Sequence, residues 1–301
     1  MKTLNEKILM INRFKHQGKK ARDYFEGWYV RLYNNTGDLN LACIFAYTKY
    51  HNDPHAFIQV YNGHLGKNTY YRFDINDFEY KDDAVRIQNN LLAVDHLIVA
   101  TEDTNIDVAL TRLAPLDVKS AMGYLSKLPL ECYQEVIFMD GVAEGVINGA
   151  PFTGKTYMEK TYGKRFPKKW FWLQANSFDQ AMNFTLAGGH VPTLFFKPFG
   201  FFAIIQFDQK EWVFGTYNRA KCRVRKTENY QFFTLTKGQR KVVIQAKVNK
   251  PVCLVGPTDK GLMNLDVFED LYAAFKIEVF ENKELIFETH SNLGGFEWMF
   301  S

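Results

Sequence analysis

The chain has 301 residues, 47% of them hydrophobic and 16% aromatic with 27 Phe, and a formal charge of +4 at a pI near 8.7. That charge is too mild for a nucleic-acid-binding protein, which shows a concentrated basic surface and a pI above about 9. Four cysteines, at 43, 132, 222 and 253, show no CxxC spacing and no dense framework, so free thiols in a reducing compartment are expected rather than a disulfide scaffold.

The N-terminus offers only Ile8 to Ile11 as an apolar run. A signal-peptide core needs roughly 7 to 15 such residues, so the expected location is cytoplasmic. Runs at strand period then recur along the chain: WYVRLYN, LACIFAYTKY, AFIQVYNG, DVALTRL, KVVIQAKV, FKIEVFEN and ELIFETH. NNTGD, NGHLGKN, INGAPFTGK and VGPTDKG separate them, each rich in residues that supply turns. This is the pattern of an all-β sandwich or barrel.

Helical signals are few. Leu265, Phe268, Leu271, Tyr272 and Phe275 lie at helical spacing, which predicts one short C-terminal helix over 264–275. SAMGYLSKLP, ended by Pro129, predicts a helical turn. No Gly-, Ser- or Pro-rich linker divides the chain, and turn density places the boundary at INGAPFTG, giving domains 1–147 and 148–301.

The segment VPTLFFKPFGFFAIIQF, 191–207, is the greasiest, but Pro192, Lys197, Pro198 and Gly200 interrupt it and it is shorter than the approximately 20 residues of a membrane span. It reads as a buried hairpin or as an exposed lip in transient contact with a membrane, which would make the protein membrane-peripheral. In NRAKCRVRK the basic residues Arg219, Lys221, Arg223 and Arg225 share one strand face, read as a solvated outer face or a site for an anionic partner.

Candidate chemistry sits in two aromatic stretches. At strand period Tyr24, Glu26 and Trp28 share a face, as do Tyr157 and Glu159, and as do Trp170, Trp172, Gln174 and Asn176. Lining a barrel interior, such faces give an apolar wall with a few orienting polar groups, the makeup of a small-molecule site. On an outer face, Glu26 and Glu159 would instead pair with Lys160 or Arg31. A carboxylic acid enclosed by Trp and Tyr can keep its proton near neutral pH and act as a general acid, which makes Glu159 and Glu26 candidates. His51, Asp53 and His55 in HNDPH read as a polar turn rather than a metal site, and no metal or cofactor is expected. GxGxxG before a helix, GxxxxGK[ST], GxSxG and HExxH are all missing.

YFEGWYVRLYN (24–34), NGAPFTGKTYMEKTYGKRFPKKWFWLQANSF (148–178), FGTYNRAK (214–221) and ETHSNLGGFEW (288–298) resemble, in order and spacing, the tocopherol cyclase family. The resemblance spans nearly the whole chain and is closer to bacterial members. It implies two consecutive lipocalin-like antiparallel β barrels, similar to carotenoid hydratases, and a hydrophobic ligand such as a prenylated quinol, polyene or fatty lipid. Plant members close the chromanol ring of vitamin E, an intramolecular lyase reaction. By carry-over Glu159 is the first candidate acid and Glu26 the second, with Trp28, Tyr157, Trp170 and Trp172 as wall and Gln174 and Asn176 as polar groups. The family pattern has Asn or Asp and then Trp where this chain has Thr161 and Tyr162, and His where it has Gln134. Those replacements favour a second role, a non-catalytic carrier or store of the same ligand.

Overall fold

A computed structural model describes residues 2–190 and 198–300, with side chains from residue 4 onward. Strands make up 62% of it, arranged as two nearly closed antiparallel barrels with a single α-helix. Each of the seven strand-period runs lies mainly within a strand, any overhang being one or two residues at its end. The all-β, two-barrel expectation therefore holds.

Each barrel is a meander whose first and last strands pair. In the first, Phe25–Tyr33 lies between Asn40–Thr48 and Ala150–Gly163, and the sheet ends at Lys67–Asp74 and Phe78–Lys81, which the short 3-10 turn Ile75–Asp77 joins. In the second, Trp170–Ala175 lies between Met182–His190 and Glu284–Trp298, with ends at Lys210–Gly215 and Lys221–Lys226. Closing first strand on last leaves little open edge, which removes the hydrogen-bonding liability of a free sheet border.

The single helix is Lys2–Phe14, at the N-terminus. The helix expected over 264–275 is instead part of the strand Met263–Glu281. Its apolar residues fit two periods at once: Leu271, Ala273, Phe275, Ile277 and Val279 also alternate, and all five are buried. Pairing with Arg240–Lys247 and Glu284–Trp298 satisfies the backbone on both sides and overrides the local helical spacing. The 3-10 helix Gly123–Lys127 matches the helical turn expected before Pro129.

The N-terminal helix folds because Met10 and Phe14, one turn apart, insert into the core of the first barrel. Arg13 reaches off it to the carbonyls of Leu116, Val118 and Lys119. That core is built from the inward residues of each strand, among them Trp28, Val30 and Leu32, then Cys43, Phe45 and Tyr47, and Met158. The second core is built likewise from Phe171, Leu173, Ala175, Phe184, Phe233, Ile244, Phe275 and Ile277.

By chain contacts the first unit comprises Met1–Ser120, Leu130–Phe166 and Leu254–Asp266, and the second the remainder. The boundary expected at 147/148 is the turn of a hairpin inside the first unit, where Asp140–Ile147 pairs with Ala150–Gly163. Asn148 and Gly149 supply the positive φ that the tight turn requires, which is why this spot reads as a break in the sequence. Of the 191–207 segment, 191–197 lie outside the described residues; Phe199–Phe207 is a strand paired with Met182–His190.

Candidate functional site

The two candidate carboxylates lie on opposite faces of one sheet. Glu26 points into the first barrel on the side of Trp28, and Lys160, in the neighbouring strand, points the same way. Its Nζ is 3.2 Å from Glu26 Oε1, with both side chains fully buried. The backbone after the helix closes over this pair. Gln17 N–H donates to both oxygens of Glu26 at 3.0 and 3.1 Å, and Gly18 N–H donates to Oε2 at 2.9 Å. Tyr47 Oη donates to the same oxygen at 3.2 Å. Lys160 in turn donates to Lys15 O at 2.5 Å and lies over the rings of Trp28 and Tyr162, 5.6 and 5.0 Å from their centroids. Glu26 is thus an acceptor to every neighbour named, and the expected alternative of a Lys160 pair is realised, inside the barrel rather than in water. Burial pushes the Lys160 ammonium below its ordinary value while Glu26 pushes it back up.

His16 completes this cluster, with Nε2 2.8 Å from Tyr47 Oη and 3.6 Å from Glu26 Oε2. Burial holds its pKa below the ordinary 6.5; Glu26 opposes that fall, and Lys49, Lys160 and Lys19 add to it. The folded state therefore binds the proton less readily than the unfolded chain. Stability is expected to be full above about 6.5 and to decline as pH falls towards the folded pKa. Urea unfolding midpoints measured across that range check this, and His16→Gln should flatten the decline.

Glu159 occupies the other face. Tyr157 Oη donates to its Oε2 at 2.6 Å, and Gln134 Nε2 donates to Oε1 at 2.8 Å. The Tyr29 ring lies 6.5 Å from that of Tyr157. Glu159 is 6% exposed and Tyr157 fully buried, although Met158 between them is the residue that enters the barrel core. The strand Cys132–Phe138 brings Gln134 here by pairing Gln134 with Thr161 and Val136 with Glu159. Of the positions where the chain departs from the resembled pattern, Gln134 thus touches Glu159, and Tyr162 lies on the other face, beneath Lys160.

In the second barrel the interior takes the wholly apolar face, Phe171, Leu173 and Ala175. Trp170, Trp172, Gln174 and Asn176 point the other way, yet are buried. Trp170 Nε1 donates to Glu297 Oε2 at 2.7 Å, and Gln174 Nε2 donates to Asn176 Oδ1 at 3.1 Å. Of the three candidate faces, those of Tyr157 and Glu159 and of Trp170 to Asn176 thus lie outside the barrel interiors, one in each unit, and the Tyr24, Glu26, Trp28 face lines an interior.

Sequence reasoning missed His16, Tyr47 and Glu135. Burial raises the Glu135 carboxyl above its ordinary range, Ser120 Oγ donates to its Oε1 at 2.8 Å, and its buried Oε2 has no hydrogen-bond partner among the described residues. No spacing rule links residues 16, 26, 47 and 160; the barrel does. In HNDPH, His51 meets Asp23 at 2.9 Å, His55 meets Tyr70 Oη at 2.7 Å, and Asp53 pairs with Arg72.

A family model described as tocopherol cyclase-like matches residues 114–298, more than half of the chain. The chain belongs to the tocopherol cyclase-like family. Within it, an 80-residue stretch is 35% identical to a probable chloroplastic tocopherol cyclase of Oryza sativa subsp. japonica; the stretch is 24% of this chain and spans 17% of that relative. Among solved structures, CghA with Sch210972 superposes with a TM-score of 0.52 at 9% identity, over 92% of this chain and 88% of that one, a likeness of fold. Kievitone hydratase from Nectria haematococca gives 0.48 at 10% identity, over 90% and 88%. Among the described residues of this family member no helix is long and apolar enough to cross a membrane.

Proposed function

We propose that the protein binds a hydrophobic prenyl-type lipid and promotes acid-catalysed ring closure of a prenylated quinol, with Glu159 as the acid. The observation that carries this reading is the burial of the Glu159 carboxyl, 6% exposed and 2.6 Å from Tyr157 Oη, a hydroxyl that can accept from the protonated acid as well as donate to the carboxylate. A carboxylic acid shielded from water can deliver a proton to a trisubstituted alkene. The tertiary cation that forms is captured by the quinol oxygen, a C–O bond closes the ring, and the phenolic proton returns to the carboxylate. Atoms balance, so the product is an isomer of the substrate and no cofactor is consumed. Aromatic faces such as that of Tyr157 stabilise the cation within about 6 Å, and exclusion of water keeps it from being hydrated.

Trp170 and Trp172, with Gln174 and Asn176 beside them, have the makeup of a wall for an isoprenoid chain in the second unit. Trp28 serves the first barrel's interior beneath Lys160. Glu26, ringed by donors, is the second carboxylate in this reading and suits tying the Gln17–Gly18 backbone and Lys160 to the barrel better than releasing a proton.

The Gln134 amide favours a second reading. It donates to Glu159 Oε1 and so supports the charged carboxylate, which suits a carrier of the same lipid without turnover. Native mass spectrometry of the purified protein, followed by organic extraction, tests the shared ligand. A prenyl lipid that co-purifies, or a mass increment on incubation with a prenylated quinol, is expected. A bare mass under both conditions would contradict both readings.

A further inference from the structure

The basic run 219–226, left unused by the proposed chemistry, acquires a definite shape in the second barrel. Arg219, Lys221, Arg223, Arg225 and Lys226 carry five positive charges in eight residues with no acid among them. The strand Lys221–Lys226 ends the sheet. Strand register fixes which side chains share its outer face. Lys221 pairs with Thr236, Thr236 with Lys241, Lys241 with Phe280 and Phe280 with Leu285, which makes one continuous outward row. The next rows begin at Arg223 with Thr234 and at Arg225 with Phe232. The residues between these rows, Leu235, Val242 and Val279, fill the barrel core, so the rows face outward.

The charge on this face is one-sided. Its carboxylates Glu278 and Glu288 are both tied to Lys276, at 3.0 and 3.3 Å. Among the described residues Lys221, Arg223, Arg225 and Lys241 are in no ion pair; Arg225 and Lys241 lie over Phe232 and Phe280, each 4.5 Å from the ring centroid. At the far end of the first row, Leu285 and Ile286 are 52% and 39% exposed. Cations over phosphates beside aliphatic side chains that can enter the acyl boundary are what an anionic bilayer surface accepts. A nucleic acid would meet the same charges but give Leu285 and Ile286 nothing to bury into.

We infer that this outer face of the second barrel docks the protein on an anionic lipid bilayer, the phase in which a prenyl lipid is dissolved. The choice of a bilayer rests on the prenyl-lipid reading above; the electrostatics of the face do not. The test is flotation of the full chain with vesicles free of prenyl lipid, made either of equal parts phosphatidylcholine and phosphatidylglycerol or of phosphatidylcholine alone. Binding to the anionic vesicles at low salt, its loss at high salt and none to the neutral ones are expected. Arg223→Glu/Arg225→Glu, both exposed and outward, should weaken it about tenfold or more, and Leu285→Ser should weaken it without altering the salt dependence. Glu159→Gln should float as the parent does, so that failure of the chemistry and failure of docking are told apart. No flotation, flotation untouched by the double charge reversal, or duplex DNA displacing the vesicles at matched charge would overturn the inference.

Discussion

Glu26→Ala is expected to destabilise the protein by about 3–5 kcal/mol, because it leaves the Lys160 ammonium buried without its counter-charge. The loss is compounded at the backbone. Gln17 and Gly18 N–H groups both donate to the Glu26 carboxylate, and the cavity left by alanine gives them no acceptor. The chain from Lys15 to Gly18 would then lose its hold on the barrel, since Lys160 also grips Lys15 O. Removing the charge from both partners should be gentler: Glu26→Gln/Lys160→Met keeps similar volumes and strands no ion, so much of the stability should return. Urea denaturation of the parent, Glu26→Gln, Lys160→Met and the double variant reads the pair as a cycle, with Glu26→Ala measured beside them. A single-variant cost below about 1 kcal/mol, the range of exposed pairs, would mean that the pair contributes nothing to the fold.

Much of the architecture was legible in the sequence because barrel strands announce themselves by period. WYVRLYN and FKIEVFEN alternate cleanly, and the turn clusters between strands contain the Gly and Asn that positive φ demands. Two elements were hidden for opposite reasons. Residues 264–275 satisfy helical and strand spacing together, and only their two neighbouring strands decide between them. Lys2–Phe14 contributes Met10 and Phe14 to the core, too sparse a pattern to stand out beside its polar residues.

The site was legible by residue type and less by direction. Period two placed Trp170, Trp172, Gln174 and Asn176 on one face, yet it cannot say which face of a strand enters a barrel. Alternation says only that two faces differ; the wholly apolar one went inward because it buries more hydrocarbon without orphaning a polar group. The same ambiguity set Glu26 and Glu159 on opposite sides of one sheet. His16 and Tyr47 carried no readable signal, since their place beside Glu26 depends on contacts made across the barrel.

Glu159→Gln is expected to lower ring-closing turnover by roughly 10²–10⁴-fold, the contribution of a positioned general acid. The amide keeps the side chain's size and can still meet Tyr157 and Gln134, so ligand affinity should stay within about twofold, where 1.4 kcal/mol would be needed for a tenfold change. Loss of turnover with retained binding separates proton delivery from packing. The reaction itself supplies the most direct readout. Protonating the alkene places one solvent-derived hydrogen on carbon, where it no longer exchanges. The parent protein incubated with a prenylated quinol in deuterium oxide should yield a chromanol carrying one carbon-bound deuterium, and Glu159→Gln should yield almost none. Recovery of the quinol bound but unchanged by the parent would contradict the account and leave the protein as a carrier.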